Sequence, residues 1–447
     1  MEKIIENFAR LIPLWNLARN VSACCLAILL IAGTTFVAQA QIHVDVSASG
    51  ANDGTSWANA YNSLQDALEN ATGSDEIWIA AGTYYPDQGA NVSAGDQVAS
   101  FSISSSQSGL KIYGGFAGTE SSFAERNLAS GNRTILSGDI GVPDDHSDNS
   151  IHVITMAASS SSITNDTEIN GLMIADGRAI GTSQGESTRG AGVYCGSSGN
   201  VECSPAFVNV TFYNNIASNY GGAVKFHAFN SGASPSFTNC LFVDNYVEDG
   251  DIASDGNAID INVFQNSGSN FEGVSTLTIT NSTFYGNADT NNGTRRVIRN
   301  QHGETQIENS ILWGNTVNMV NASGSGSLTV ANSLIEGGLQ SDATDGGGNL
   351  DADPLFVNMN DSNGSDDVFG TADDGLVLFS NSPAVDSGDN SAIAETTDLT
   401  GADRIQDGTV NMGAYEITVE AFAPFITTWA VTADDLPLYI PTGGGAD

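Results

Sequence analysis

The stretch LTITNSTFYGN, residues 277–287, decides the fold. Leu277 and Ile279 alternate with threonines in the period-two rhythm of a strand that buries one face. Asn281 interrupts the rhythm, Phe284 re-enters with an apolar side chain, and Asn287 closes a frame written N-x-x-[apolar]-x-x-[N/D/G]. The frame recurs without gaps at Asn209-Phe212-Asn215, Asn239-Phe242-Asn245 and Asn309-Leu312-Asn315, with degenerate copies at Asn170-Met173-Asp176 and Asn332-Ile335-Gly338. In five of the six an apolar residue stands two places before the first Asn (Phe207, Phe237, Ile279, Ile307, Val330), and Glu168 is the exception. The first-Asn intervals are 39, 30, 42, 28 and 23 residues, so a constant strand-corner-strand unit carries a variable loop. That is how stacked coils behave, not tandem globular domains.

The residue types fit such a stack. Coils lie ~4.8 Å apart, so an inward Asn amide can donate to one neighbour and accept from the other, and a ladder through Asn209, Asn239, Asn281 and Asn309 is expected. Gly and Asn at the second corner tolerate left-handed backbone angles. Parallel strands connected this way predict an all-β, right-handed parallel β-helix, a solenoid. A helical solenoid is excluded because residues 75–420 lack helical apolar spacing and are rich in Gly, Asn, Thr and Val. One helix is expected, where Trp57, Tyr61, Leu64 and Leu68 fall at intervals of four, three and four. It would form an N-terminal helical cap over the open end of the solenoid; the alternative is an aromatic sugar platform.

Charge narrows the function. The 447 residues hold 52 Asp and Glu against 13 Lys and Arg, a net charge of -39. No basic stripe exists to release counterions from nucleic acid, and anionic membranes are disfavoured for the same reason. Polyuronates would need bridging calcium or a local basic patch, whereas neutral glycans escape the repulsion. Residues 1–40 read as an export signal, with Lys3, Arg10 and Arg19 before the apolar run 21–38 and Ala38-Gln39-Ala40 as the cleavage site. Export leaves no membrane span in the mature chain and permits disulfides; a retained anchor is the alternative. Of the remaining cysteines, Cys195 and Cys203 bracket a Gly/Ser loop and form either a small disulfide or two thiols, with Cys240 left over.

The stretches QIHVDVSASGANDGTSWANAYNSLQDAL (41–68), DEIWIAAGTYYPD (75–87), KIYGGFAGTE (111–120), DPLFVN (353–358), DDGLVLFSNSPAVDSGD (373–389) and MGAYE (412–416) resemble bacterial secreted proteins of the choice-of-anchor Q domain type. That resemblance implies a pectin-lyase-like β-helix at the cell surface. Gly221-Gly222-Ala223-Val224 with Phe242 and Asn245 is similar to the GGA(I/V)/FxxN repeats of polymorphic outer-membrane proteins, which are surface adhesins and autotransporters. After Glu416, AFAPFITTWAVTADDLPLYIPTGGGAD (421–447) resembles the opening of a further bacterial surface-protein domain, read here as truncated. The expected organisation is a signal at 1–40, a capping strand and helix at 41–74, a β-helix at 75–419 and the start of another domain at 420–447.

Two candidate sites stand out. Arg295, Arg296 and Arg299 with His302 are the main basic concentration, fit either to receive an anionic group or to neutralise acidic neighbours. Asp361, Asn363, Asp366, Asp367, Asp373 and Asp374 lie in a Gly-rich loop offering hard oxygen ligands for calcium, the alternative being a solvated acidic loop. Asp244, Asp249, Asp251, Asp255 and Asp260 supply carboxylates but no recognisable hydrolase set. The expected function is an exported or cell-surface binding protein, an adhesin or glycan-binding module whose partner is a polysaccharide or a surface glycan or protein. The alternative is a polysaccharide lyase or glycoside hydrolase on the same fold.

Overall fold

The computed structural model describes residues 40–181, 185–248, 256–264, 275–288, 296–315, 320–321 and 326–418. All of the export segment except Ala40, together with Arg295, Asp249, Asp251, Asp255 and the segment 420–447, lies outside them.

The chain is a parallel β-helix. The inner coils contribute one strand to each of three long sheets, and all the pairings between named strands are parallel with spatial order following chain order. A ten-stranded sheet runs from Gln41–Val44 to Thr344–Asp345, and an eight-stranded sheet from Gly82–Tyr84 to Leu334–Ile335. A seven-stranded sheet runs from Phe101–Ser104 to Val320–Asn321. A short three-stranded sheet spans Arg178–Ala179, Ile216–Ala217 and Tyr246–Val247.

Equal register turns the repeat into columns. Phe212, Phe242 and Phe284 are paired partners in successive coils, and their rings stack at 4.6 and 4.4 Å, nearly coplanar. Phe207 stacks on Phe237 at 5.0 Å in the same interior. The first Asn of each frame takes a positive φ near 50° (Asn209, Asn239, Asn281, Asn309), and the second corner uses the expected left-handed tolerance at Asn214, Gly286 and Gly314, with φ 51°, 67° and 68°. The continuous amide ladder runs instead through the second Asn. Nδ2 of Asn215 donates to Asn245 Oδ1, Asn245 to Asn287 and Asn287 to Asn315, each at 3.0 Å and buried. In the first column Asn239 donates to Asn209 at 3.1 Å, while Asn281 Nδ2 is buried without a partner.

The N-terminal end is closed by helix α1 (Leu64–Asn70), which buries Leu64, Ala67 and Leu68 in the same core as Val44 and Ile77. It is shorter than the aromatic periodicity suggests. Ser63 caps it by accepting from Asp66 N, and Tyr61 is already extended, bridged to Val44. Trp57 sits on a separate 3-10 turn, its ring 4.6 Å from His43 and its Nε1 donating to Glu120 O.

The segment beyond residue 350 carries little regular structure and folds back over the outer face of the eight-stranded sheet. Phe356, Phe369, Leu376, Leu378, Met412 and Tyr415 form a second core with Leu241, Val243, Ile311 and Leu334 of that sheet. We call this segment the strap. Its pins are the first-column asparagines: Asn239 Nδ2 donates to Thr397 O at 2.7 Å, and Asn309 exchanges two bonds with Asp389.

Candidate functional site

Four copies of a second local pattern feed one face of the seven-stranded sheet: GAGVYC (190–195), GGAVKF (221–226), GNAIDI (256–261) and RRVIRN (295–300). Alternation sends Val193, Val224, Ile259 and Ile298 into the core and the next residue outward. Register then aligns Tyr194, Lys225, Asp260 and Arg299 across four adjacent strands. Lys225 Nζ donates to Asp260 Oδ1 and Arg299 Nε to Asp260 Oδ2. The Lys225 and Asp260 side chains are 0% exposed although they point away from the solenoid interior.

What encloses them is the corner preceding each strand. Gly190 and Gly256 both have positive φ and lie so close that an added Cβ would stand 2.6 Å from Lys225 Cβ and 2.9 Å from Asp260 Cβ. The Tyr220 ring lies above the charges, 4.4 Å from the Arg299 guanidinium carbon, 5.3 Å from that of Arg189 and 5.5 Å from Lys225 Nζ. Tyr194 OH pairs with His227 Nδ1 at 2.8 Å, and His152 Nδ1 is 2.9 Å from Gly190 O.

Desolvation dominates the electrostatics. Burial pushes the Lys225 ammonium down to about 8, with Asp260 opposing that shift. For Asp260 burial works against ionisation, yet Arg299 and Lys225 outweigh it and hold the carboxyl below its ordinary value. Burial drives both His152 and His227 down to about 4, with Lys225 and Arg189 adding to the effect on His227. Both imidazoles are therefore neutral at pH 7. The cluster is a closed ion triad with an aromatic roof, flanked by neutral histidines.

Of the basic residues singled out in the sequence, Arg299 enters this triad. Arg296 lies at the start of the same strand passage, where its carbonyl accepts from Asn257 N. His302 is exposed in the following turn with φ 63°, so the structure does not bring it to the triad. Sequence reasoning missed Arg189, Tyr194 and Tyr220, and left Lys225 and Asp260 unconnected. The signal was the position after the apolar residue in the four copies above, which only a coil-by-coil alignment exposes.

The acidic loop is internally engaged. Asp373 accepts from Ser365 N and Oγ and from Thr371 Oγ1, and these bonds hold it at about 2. Asp374 is buried, its Oδ2 against Tyr415 OH at 2.6 Å and Gly370 N at 2.7 Å. Among the described residues no three His, Cys, Asp or Glu side chains converge as a metal site. Asp374 Oδ1 shares the Thr371 hydroxyl with Asp373 Oδ1, at 3.2 and 2.8 Å.

Cys195 and Cys203 are joined by a disulfide, with Cα atoms 5.9 Å apart, and Cys240 is a buried thiol pushed up to about 12 by desolvation.

Elsewhere the surface offers polar hollows. One of about 400 Å³ lies between α1 and the seven-stranded sheet, with Gln65, Asn91, Ser102, Ser104, Ser106 and Gln107 in its wall. Its only carboxylate, Glu69, accepts from Asn91 Nδ2 through both oxygens, at 2.9 and 3.1 Å. A second, of about 440 Å³, has His146, Asn149 and Arg178 among its lining. No helix among the described residues is long and apolar enough to cross a membrane.

No protein-family model matches the chain, and no curated protein matches it. Among solved structures it is similar to pectate lyase Pel9A, with 15% identity and a TM-score of 0.34 over 86% of this chain and 98% of that one. It is also similar to a rhamnogalacturonan lyase, with 13% identity and a TM-score of 0.32 over 85% of this chain and 96% of the other. Likeness at this level transfers no residue role or reaction, and the parallel coils rest on the strand register described above.

Proposed function

We propose that this β-helix is an exported or cell-surface protein that binds neutral glycan without turning it over, as an adhesin or glycan-binding spacer. The observation that carries the reading is the closure of the basic cluster. Its lysine and its aspartate are fully enclosed and bonded to each other, which leaves neither to act on a substrate. The hollow beside α1 supports the binding half through its serine hydroxyls, Ser102, Ser104 and Ser106, which match sugar hydroxyls, while the amides of Gln65, Asn91 and Gln107 brace its wall, and a single engaged carboxylate cannot supply the acid and base pair of a glycosidase. A net charge of -39 favours neutral glycans over polyuronates.

A lyase reading has one observation in its favour, a lysine pushed down to about 8 beside an arginine. One experiment separates the two. The chain from Gln41 onward is incubated with neutral and acidic polysaccharides while binding, new reducing ends and unsaturated products are followed. Retention of a neutral glycan without products is expected. Turnover lost on Lys225→Met would replace this reading with the enzymatic one.

A further inference from the structure

The Lys225 ammonium carries three donors, yet among the described residues its one hydrogen-bond acceptor is Asp260 Oδ1. The Tyr220 ring face, 5.5 Å away, offsets part of the deficit. A sealed ammonium and carboxylate carry a heavy desolvation cost even when paired. Lys225 and Asp260 are also direct register partners on neighbouring strands, Val224–Phe229 and Ile259–Phe264. The corner glycines pack against the Cβ atoms of both side chains.

We propose that Lys225 and Asp260 become joined by an intramolecular isopeptide bond between Nζ and Cγ, a covalent staple between successive coils. The ion pair is the reactant. The ammonium passes one proton to Asp260 Oδ1, giving a neutral amine and a carboxylic acid, a transfer that removes two charges from a dry site. The amine lone pair then attacks Cγ. Negative charge develops on Oδ2, where the Arg299 guanidinium already sits through Nε. The nitrogen gives a second proton to Oδ1, the Cγ–Oδ1 bond breaks, and water departs as the carbonyl re-forms on Oδ2. The balance is –NH3⁺ plus –COO⁻ giving –NH–CO– plus H2O, with no oxidant, reductant or co-reactant.

Each neighbour has a part in this. Burial already moves Lys225 towards the free amine. Arg299 resists protonation of Asp260 but favours the charge that develops next, so the bond accumulates after folding. Fixed positions on paired strands supply the high effective concentration that amide formation needs, and exclusion of water prevents hydrolysis of the product. The staple would close a loop of 35 residues. The proposal goes beyond the glycan-binding reading and holds or fails independently of it.

The test is the intact mass of the wild-type chain from Gln41 onward, reduced and alkylated so that the disulfide does not contribute, after prolonged incubation of the folded protein. A mass one water below the sequence value is expected, with tandem spectra showing a branched peptide that links the segments of Lys225 and Asp260. Asp-Gly sites such as Asp374-Gly375 can also lose water as succinimides. Hydroxylamine opens those and leaves an isopeptide intact. Full mass, or a water loss that opens with hydroxylamine or maps elsewhere, overturns the proposal. Lys225→Met and Asp260→Ala should both appear at full mass; since either can unfold the chain, the wild-type spectrum is the deciding measurement.

Discussion

Asn245 shows how much one buried amide carries in this fold. Its Nδ2 donates to Phe212 O, Val243 O and Asn287 Oδ1, and its Oδ1 accepts from Asn215 N and Nδ2. Asn245→Ala leaves several enclosed groups unpaired, at about 1–3 kcal/mol each, so a loss of roughly 3 kcal/mol or more is expected in denaturant unfolding. Titration is the second residue-scale prediction. Burial raises Asp374 to about 6 and Glu416 to about 7. Carboxyls raised in the folded state stabilise it fully below their unfolded values near 4, and that contribution is lost as pH rises to about 7. The neutral His152 and His227 act in the opposite direction: their contribution is full above about 6.5 and is lost as pH falls towards 4. Amide exchange measured between pH 4.5 and 7.5 should therefore show the strap around 374 and 416 opening more readily at higher pH. The passages around 152 and 227 should open more readily at lower pH.

At the scale of elements, the strap is fastened through few points. Asn309→Ala removes both bonds to Asp389, and local opening over 389–414 eased by about 1–3 kcal/mol is expected from hydrogen exchange. The disulfide is the other local fastening. Its sequence separation is 8, for which chain-entropy arguments give roughly 2–3 kcal/mol, so the double variant Cys195→Ala/Cys203→Ala should lower the unfolding free energy by about that amount. The coils were legible because their signal is local: one Asn, one aromatic and a fixed spacing. The strap was not, since its core residues Phe369, Leu376, Met412 and Tyr415 follow no period and are set by turns rather than strands. A trace of it was nevertheless present. Leu241-Phe242-Val243 and Ile311-Leu312-Trp313 are apolar at three consecutive positions, which in a strand means cover on both faces. The closed triad was less legible still, because Tyr220, Lys225, Asp260 and Arg299 meet only when coils of unequal length are set in register.

Across the whole molecule, net charge and the direction of the coils govern behaviour. With -39 charges, any affinity for acidic polysaccharide should rise as salt screens the repulsion, while affinity for a neutral glycan should stay nearly constant from 50 to 500 mM salt, on the order of the range over which the Debye length falls below 10 Å. A neutral-glycan affinity that changed steeply over that range would count against a hollow of amides and hydroxyls. Direction appears most plainly in the second-corner ladder, where each amide-to-amide step from Asn215 to Asn315 donates towards the C-terminus. Each amide must wait for its acceptor, 30, 42 and 28 residues further along the chain. Each Nδ2 also donates back to a carbonyl of the preceding coil, so a chain ending in such a coil leaves its amide short of only one acceptor. The strap, reaching back from 389–414 to Asn309 and Thr283, can dock only after those coils exist. The strap is the last latch in chain order, and a chain ending before residue 350 is expected to leave the outer face of its eight-stranded sheet bare.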